Sequence, residues 1–254
     1  TLRRSDTTFR PPGSEHEAFS FGPVTQPWWW RGHGDMWGGP GALLVKQGEG
    51  DTDTGGVLAV SHVLQPKEAE WGVKPEPSDA AVEAAPAGPP DPPSPSTYTL
   101  EAMVTDQNRQ AIAGRQSFVV HPADEYVGLR SDRSVYKEGE RARLEAVVVD
   151  VEGKRLGGRP VQVALVRSET RRTAVEKQGR WSYKYETVDV PVGGCALTSD
   201  AAPASCEVAV DKAGSYVLRA EIKDAKGRRA LTRHNLYVYG KDAVVWDQDQ
   251  RRVD

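Results

Sequence analysis

The two cysteines are the residues whose type and spacing most directly suggest chemistry. Cys195 and Cys206 enclose ten residues in GGCALTSDAAPASC, a composition that suits a chain-reversing loop. Because no His or third Cys lies nearby in the sequence to form a metal site, a disulfide is favoured over two free thiols. We therefore predict a bond between them, with Cα atoms within about 7 Å, worth roughly 2–3 kcal/mol. A disulfide would place the protein in an oxidising compartment.

A cluster of three adjacent indoles, Trp28, Trp29 and Trp30, has two interpretations. The rings can pack on a sandwich face or between domains, or exposed rings can stack on sugars as a possible binding patch. Neighbouring side chains of an extended segment point in opposite directions, so at least one indole should lie outside. Packing is the favoured interpretation, and glycan binding stays the alternative.

Other residue types in the sequence do not form a recognisable reactive set. Asp51 and Asp53 lie in the glycine-rich run GEGDTDTGG, which could bind calcium. The run lacks the further acidic ligands of a complete calcium loop, so a polar hairpin turn is favoured. The five histidines show no ligand pair, and no nucleophile motif or phosphate loop occurs. We predict a protein that is not an enzyme, with no catalytic, cofactor or metal site.

Charge and hydropathy exclude two classes of partner. The 33 basic and 36 acidic residues are mixed along the chain, with a net charge of -3. This is unlike the one-sided basic surface that binds nucleic acid. There is no apolar run long enough to span a membrane, so we expect no membrane contact by this segment. The chain begins at Thr1, and any signal peptide would lie outside it.

The second half of the sequence predicts a complete β-sandwich. Short segments alternate polar and apolar residues and are separated by glycine-rich turns. Seven such strands are predicted, at residues 125–130, 141–150, 160–167, 181–190, 205–210, 215–223 and 233–239. Seven short strands at this spacing indicate an immunoglobulin-like or fibronectin-like antiparallel sandwich.

An internal repeat predicts a second, related domain before it. Residues 98–106, YTLEAMVTD, match residues 216–224, YVLRAEIKD, and Phe118 falls on Leu236 at the same offset. Alternate positions of both copies should face a core. Residues 2–8 also resemble residues 165–171, the third strand of the second domain. The first domain should therefore enter at its third strand, with two earlier strands before Thr1.

These patterns give the predicted domain organisation. Residues 1–122 form a sandwich domain without its N-terminal strands, residues 123–240 form a complete one, and residues 241–254 begin a following domain. A proline-rich segment at residues 65–97 cannot bury enough apolar surface to offset its ordering entropy. It is interpreted as an exposed insertion and as the most protease-sensitive stretch of the chain. The predicted class is all-β, with tandem seven-stranded antiparallel sandwiches.

Several stretches together resemble bacterial α2-macroglobulin-like proteins, specifically their macroglobulin-type domains. The resemblance covers nearly the whole chain apart from the proline-rich insertion. It is carried by Leu2–Arg4, Phe9–Gly13, Phe19–Gly22, Tyr98–Gln110, Val119–Pro122, Tyr126–Leu129, Cys195, Cys206–Asp224, Tyr237–Gly240 and Trp246.

The resemblance implies a large periplasmic or envelope protein that traps proteases, in which this segment is scaffold. Its implied partners are proteases, through the full-length protein, and neighbouring macroglobulin domains of the same chain. The family's reactive Cys-x-Glu-Gln thioester motif is absent, because Cys195 precedes Ala-Leu-Thr and Cys206 precedes Glu-Val-Ala. The alternative, from another class, is an adhesive or glycan-binding sandwich that uses Trp28, Trp29 and Trp30.

Overall fold

The computed structural model describes residues 1–22, 42–64, 91–106, 108–177 and 180–240, and these are almost entirely β-structure. The one helix among them is a single 3-10 turn at Ser14–His16. The strands are β1 (Leu2–Asp6), β2 (Ser20–Phe21), β3 (Leu43–Lys46), β4 (Ser96–Thr105), β5 (Ala111–Val120), β6 (Glu125–Ser131), β7 (Val135–Lys137), β8 (Glu140–Asp150), β9 (Pro160–Lys177), β10 (Arg180–Thr198), β11 (Ala204–Val210), β12 (Gly214–Lys223) and β13 (Arg229–Tyr239).

The chain divides into two compact units, the first comprising residues 1–9 and 25–124 and the second residues 10–24 and 125–254. The second unit is a sandwich of two sheets, with strand orders β10-β9-β12-β13-β7 and β11-β8-β6-β2. Inward-facing side chains from both sheets, among them Leu129, Leu144, Leu165 and Leu218, have no exposed surface. Because alternate residues of a strand face one side, the polar and apolar alternation of β8 and β12 supplies this core. All seven predicted strands are present, and β2 and β7 extend the two sheets.

The described part of the first unit is one four-stranded antiparallel sheet with the order β3-β1-β4-β5. This order corresponds to β10-β9-β12-β13 of the second unit. The register is also the same, since Tyr98 pairs with Phe118 and Tyr216 pairs with Leu236. The internal repeat is therefore confirmed strand by strand. The sequence predicts for this unit a sandwich that lacks its first two strands, and the residues described form only this one sheet.

The match between residues 2–8 and the third strand of the second domain is also confirmed by pairing. Leu2 lies opposite Leu100 in β4, as Leu165 lies opposite Leu218 in β12. An arginine follows two positions later in both strands and pairs with an acidic residue two further on. These ion pairs are Arg4–Asp6 and Arg167–Glu169.

The predicted first domain differs from the first unit at residues 10–22, which pack in the second unit. Ser20 and Phe21 form β2, which pairs antiparallel with Leu129 and Gly128 of β6. Phe19 and Phe21 are buried there. The prediction assigned residues 10–22 to the domain of their sequence neighbours, whereas their aromatic side chains find their apolar partners on the second sandwich. The predicted start of a following domain, residues 241–254, lies outside the described residues. So does most of the proline-rich segment, and its last two residues begin β4.

Candidate functional site

The disulfide closes one side of the second sandwich. Cys195 lies in β10, the edge of one sheet, and Cys206 lies in β11, the edge of the other. Their sulfurs are bonded and their Cα atoms are 6.6 Å apart, within the predicted limit. The bond ties the strand before the loop to the strand after it, as predicted. It therefore joins the two sheets covalently.

The opposite side of the sandwich is closed by hydrogen bonds to residues 20–22. The buried Thr232 hydroxyl of β13 accepts a bond from the Gly22 N–H at 2.9 Å and donates to the Val127 carbonyl oxygen at 2.5 Å. The Arg233 N–H donates to the Gly22 carbonyl oxygen at 3.1 Å. This buried hydroxyl is satisfied both as a donor and as an acceptor, so the contact depends on the placement of both partners.

His234 adds a second polar link at the same side. Its ring nitrogens lie 2.9 Å from the Ser131 hydroxyl oxygen and 3.1 Å from that of Ser20. The Ser131 hydroxyl donates to the Arg133 carbonyl oxygen at 2.6 Å, so Nε2–H of His234 must be the donor to Ser131. Nδ1 then accepts from Ser20.

The chemistry of this group follows from its proton positions. Burial lowers the pKa of His234, which favours the neutral ring. Activation of a serine nucleophile needs its proton to point at the imidazole and a third group to orient the ring. The Ser131 proton points at a backbone carbonyl instead. The Ser20 hydroxyl does donate to the ring, but the opposite ring nitrogen is bonded to a neutral hydroxyl and not to a carboxylate. The arrangement is a polar link between strands of the two sheets.

A shallow depression of about 400 Å³ on the second unit is lined by charged residues from β6, the turn after it and β8. The Arg130 guanidinium lies over the Phe19 ring, 4.6 Å from its centroid, and Nε donates to Glu145 Oε2 at 2.8 Å. Arg143 lies 3.7 Å from the same carboxylate. These charges therefore have protein partners. The contact of Arg130 with Phe19 also holds the segment that contains β2 against β6.

Asp132, at the rim of that depression, is held as a carboxylate. Burial alone would raise its pKa, but hydrogen bonds from the Tyr136 hydroxyl and the Arg143 N–H, with the Arg133 charge, lower it on balance. Burial and the bond to Asp132 raise the pKa of Tyr136 to about 12. Both groups thus stay in one protonation state near neutral pH, which suits a structural corner.

The remaining sequence candidates resolve as follows. Asp53 Oδ1 accepts hydrogen bonds from the Gly55 and Val57 N–H groups, which is the favoured polar turn. The same Asp-x-x-Gly turn occurs at Asp150 and Asp224. Among the residues that the structure describes, no group of three or more His, Cys, Asp and Glu side chains could hold a metal ion. Trp28, Trp29 and Trp30 lie outside the described residues.

Sequence reasoning missed the role of residues 10–22 and of their partners Thr232 and His234. A signal existed in the alternation of Phe19, Ser20 and Phe21, which is that of a short half-buried strand. Its partner strands lie more than 100 residues away.

In the described part of the chain, no helix is long and apolar enough to cross a membrane.

The second unit is a structural β-sandwich module, closed on one side by a disulfide and on the other by hydrogen bonds. Residues 128–239 match the family described as bacterial macroglobulin domain 6. These residues are similar to that family of domains, and the chain resembles bacterial α2-macroglobulin-like proteins. The resemblance expected from the sequence is thereby confirmed.

Known proteins similar to the chain fall in the same group. An alpha-2-macroglobulin homolog of Nostoc sp. is 27% identical over 159 residues, which is 63% of this chain and 8% of that protein. The crystal structure of Salmonella alpha-2-macroglobulin reacted with methylamine gives a TM-score of 0.52 at 16% identity, over 93% of this chain and 14% of that one. Native E. coli alpha-2-macroglobulin gives 0.50 at 16% identity, over 94% and 13%. The structural likenesses show the fold, and the chain spans a small part of each relative.

Proposed function

We propose that this chain is a structural scaffold segment of a protease-trapping α2-macroglobulin-like endopeptidase inhibitor. The observation that carries the proposal is the match of residues 128–239 to bacterial macroglobulin domain 6. The repeated strand order in the sheet of the first unit supports it, because a repeated β-sheet unit suits a framework.

The proposed role of the segment is mechanical. Both open sides of the second sandwich are tied, by Cys195–Cys206 and by the bonds of Thr232 and His234. Such ties keep two sheets together when neighbouring domains pull on the chain. The cysteines are used in the disulfide, so a covalent capture step would have to come from elsewhere in the full-length protein.

The proposed location is extracytoplasmic, most simply the bacterial periplasm or cell envelope. Disulfides persist in oxidising compartments and are rare in the cytosol. The proposed partners are proteases, through the full-length protein, and neighbouring macroglobulin domains of the same chain.

A two-substrate inhibition assay tests the proposal. The encoded full-length polypeptide and the 254-residue chain are each incubated with trypsin-like and elastase-like proteases. Hydrolysis is then followed with a large protein substrate and with a short peptide. We expect the full-length protein to suppress hydrolysis of the protein substrate and to spare the peptide, because an enclosed protease keeps its active site.

The 254-residue chain is the matched control and should suppress neither reaction, because a body this small cannot surround a protease. Stoichiometric inhibition by the chain alone would show a self-contained inhibitor and would refute the scaffold role. Failure of the full-length protein to block protein hydrolysis would refute the trap itself. Glycan-array binding that is lost when Trp28, Trp29 and Trp30 are changed to Ala would favour the glycan-binding alternative.

A further inference from the structure

The hairpin of β9 and β10 is much longer than the sandwich that holds it. The pairing of β9 with β12 ends at Ser168, whereas β9 itself continues to residue 177. Beyond Ser168, the one described strand that pairs with β9 is β10. Residues 169–177 and 180–188 therefore form a two-stranded ribbon, here named the arm, about 30 Å long at roughly 3.3 Å per residue. At its base the Ser168 hydroxyl donates a hydrogen bond to the Asp189 carboxylate at 2.9 Å.

The two faces of the arm differ in composition. Residues directly opposite each other in an antiparallel ladder share a face, and so do alternate residues along each strand. Trp181, Tyr183 and Tyr185 therefore lie on one face, together with Arg172, which is paired with Tyr185. The other face carries small and charged residues, among them Lys184. Because a ribbon of two strands is marginally stable alone in water, an aromatic face on it indicates a surface that packs against a partner.

The composition of the aromatic face is that of a protein-binding surface. Trp, Tyr and Arg supply most of the hot spots in protein interfaces, whereas Lys and Glu are depleted at interface centres. Residues 169–188 hold five basic and three acidic residues, whereas the chain as a whole has a net charge of -3. The arm is thus a basic part of an acidic chain, and its complement is a protein surface that carries carboxylates.

The internal repeat indicates what kind of protein surface this is. β1 and β3 of the first unit pair as β9 and β10 do, so the connection between β1 and β3 has the same place in the repeat as the arm. That connection contains residues 10–22, which pack in the second unit, where β2 adds a strand beside β6. In one copy of the repeat, this connection is therefore a docking element for a sandwich other than the sheet from which it comes.

We infer that the arm is a docking element of the same kind, and that its face of Trp181, Tyr183 and Tyr185 binds another β-sandwich domain of the same polypeptide, one with carboxylates at the contact. This role rests on the proposed function, because a scaffold of several sandwiches supplies such a partner. It adds the surface through which the second unit holds that partner. Residues 10–22 and the sandwich that they contact belong to one chain, which favours a partner in the same polypeptide over a second copy.

Hydroxyl-radical footprinting of the 254-residue chain and of the full-length polypeptide tests the contact without substitutions. Labelling of Trp181 and Tyr183 should be about tenfold lower in the full-length protein, because residues at the centre of an interface are shielded from water. Acetylation of Lys184, on the opposite face of the arm, is the matched control and should change less than about threefold, because residues at an interface rim stay accessible. Unchanged labelling of the two aromatic residues would overturn the inference, and so would equal protection of Lys184.

Photo-crosslinking identifies the partner. Tyr183→p-benzoylphenylalanine in the full-length polypeptide should crosslink to a β-sandwich domain of the same polypeptide that lies outside the 254-residue chain, as located by mass spectrometry. Lys184→p-benzoylphenylalanine, the matched control, should give at least about tenfold less of this product, because it lies on the face away from the contact. A crosslink to residues of the 254-residue chain itself, or between two copies, would overturn the inference. Protection of Trp181 in the short chain by added chitohexaose would also overturn it, because the partner would then be a glycan.

The two-substrate inhibition assay, run on the same preparation, separates failure of this contact from failure of the proposed function. A full-length protein that blocks protein hydrolysis while Trp181 stays fully labelled would refute the role of the arm and leave the trap standing. A full-length protein that spares protein hydrolysis while Trp181 is protected and Tyr183 crosslinks to a sandwich would support the docking contact and refute the trap.

Discussion

The contact between Gly128 and Phe21 should decide how firmly residues 10–22 hold the second sandwich. The two residues lie opposite each other where β2 pairs with β6. A Cβ added at Gly128 would lie 2.5 Å from Phe21 Cζ and 2.9 Å from Val147 Cγ2. The ring therefore covers the glycine, and Gly128→Ala would push the ring off its position.

The expected losses in the free energy of unfolding follow from the packing of these side chains. Forcing one methyl group into this contact should lower the free energy of unfolding of the second unit by about 1–3 kcal/mol. Phe21→Ala, which removes a ring that is 5% exposed, should lower it by about 3 kcal/mol. With the ring absent the new methyl group has room on that side, so the double variant should fall short of the sum by about 1–2 kcal/mol.

Native-state hydrogen exchange of slowly exchanging β8 amides measures the free energy of the second unit without interference from the first. Gly114→Ala is the control, because Gly114 lies in β5 and a Cβ there meets no atom within 4 Å. It should leave β8 exchange unchanged. Additive effects of the Gly128 and Phe21 changes would show that the ring does not cover the glycine, and the docking described for residues 19–22 would then be wrong.

Three further predictions concern the same unit. Replacing Cys195 and Cys206 together by Ala should lower its free energy of unfolding by about 3 kcal/mol, because the opened loop regains chain entropy; a loss below about 1 kcal/mol in urea unfolding would contradict that origin. Gly194→Ala should destabilise by about 1–3 kcal/mol, since its Cβ would collide with the carbonyl oxygen of Val163 in β9. Gly193→Ala, with nothing within 4 Å, should change stability by less than about 1 kcal/mol, and equal thermal shifts for both would refute the contact. Burial lowers the pKa of His234 from 6.5, so the contribution of its neutral ring to stability is full above that pH and is lost as pH falls through the lowered pKa. His234→Gln should therefore flatten the dependence of the unfolding free energy on pH between about pH 7 and 5. An unchanged dependence on pH would show that another group titrates.

Much of the strand pattern could be predicted because it depends on residues that are close together in the sequence. The alternation of polar and apolar residues along β8 and β12 reflects one buried face of each strand. A turn that contains aspartate and glycine follows each of these two strands. The repeat extended that prediction to pairing, since Tyr98 and Tyr216 begin equivalent ladders. The exposure of the first sheet could not be read from its strands, because Leu100 and Leu218 have the same local pattern and differ only in what covers them.

The sequence by itself determined the all-β class, the seven strands of the second sandwich, the repeat and the cysteine pair, since each depends on spacing within a short stretch of chain. Only the tertiary structure decided that β2 pairs with β6 of the second unit, although β2 follows β1 of the first unit in the sequence. It also decided that Thr232 and His234 hydrogen-bond to residues 20–22 there. Those contacts join residues more than 100 positions apart. Their free energy comes from burial and hydrogen-bond satisfaction among side chains that no local pattern brings together.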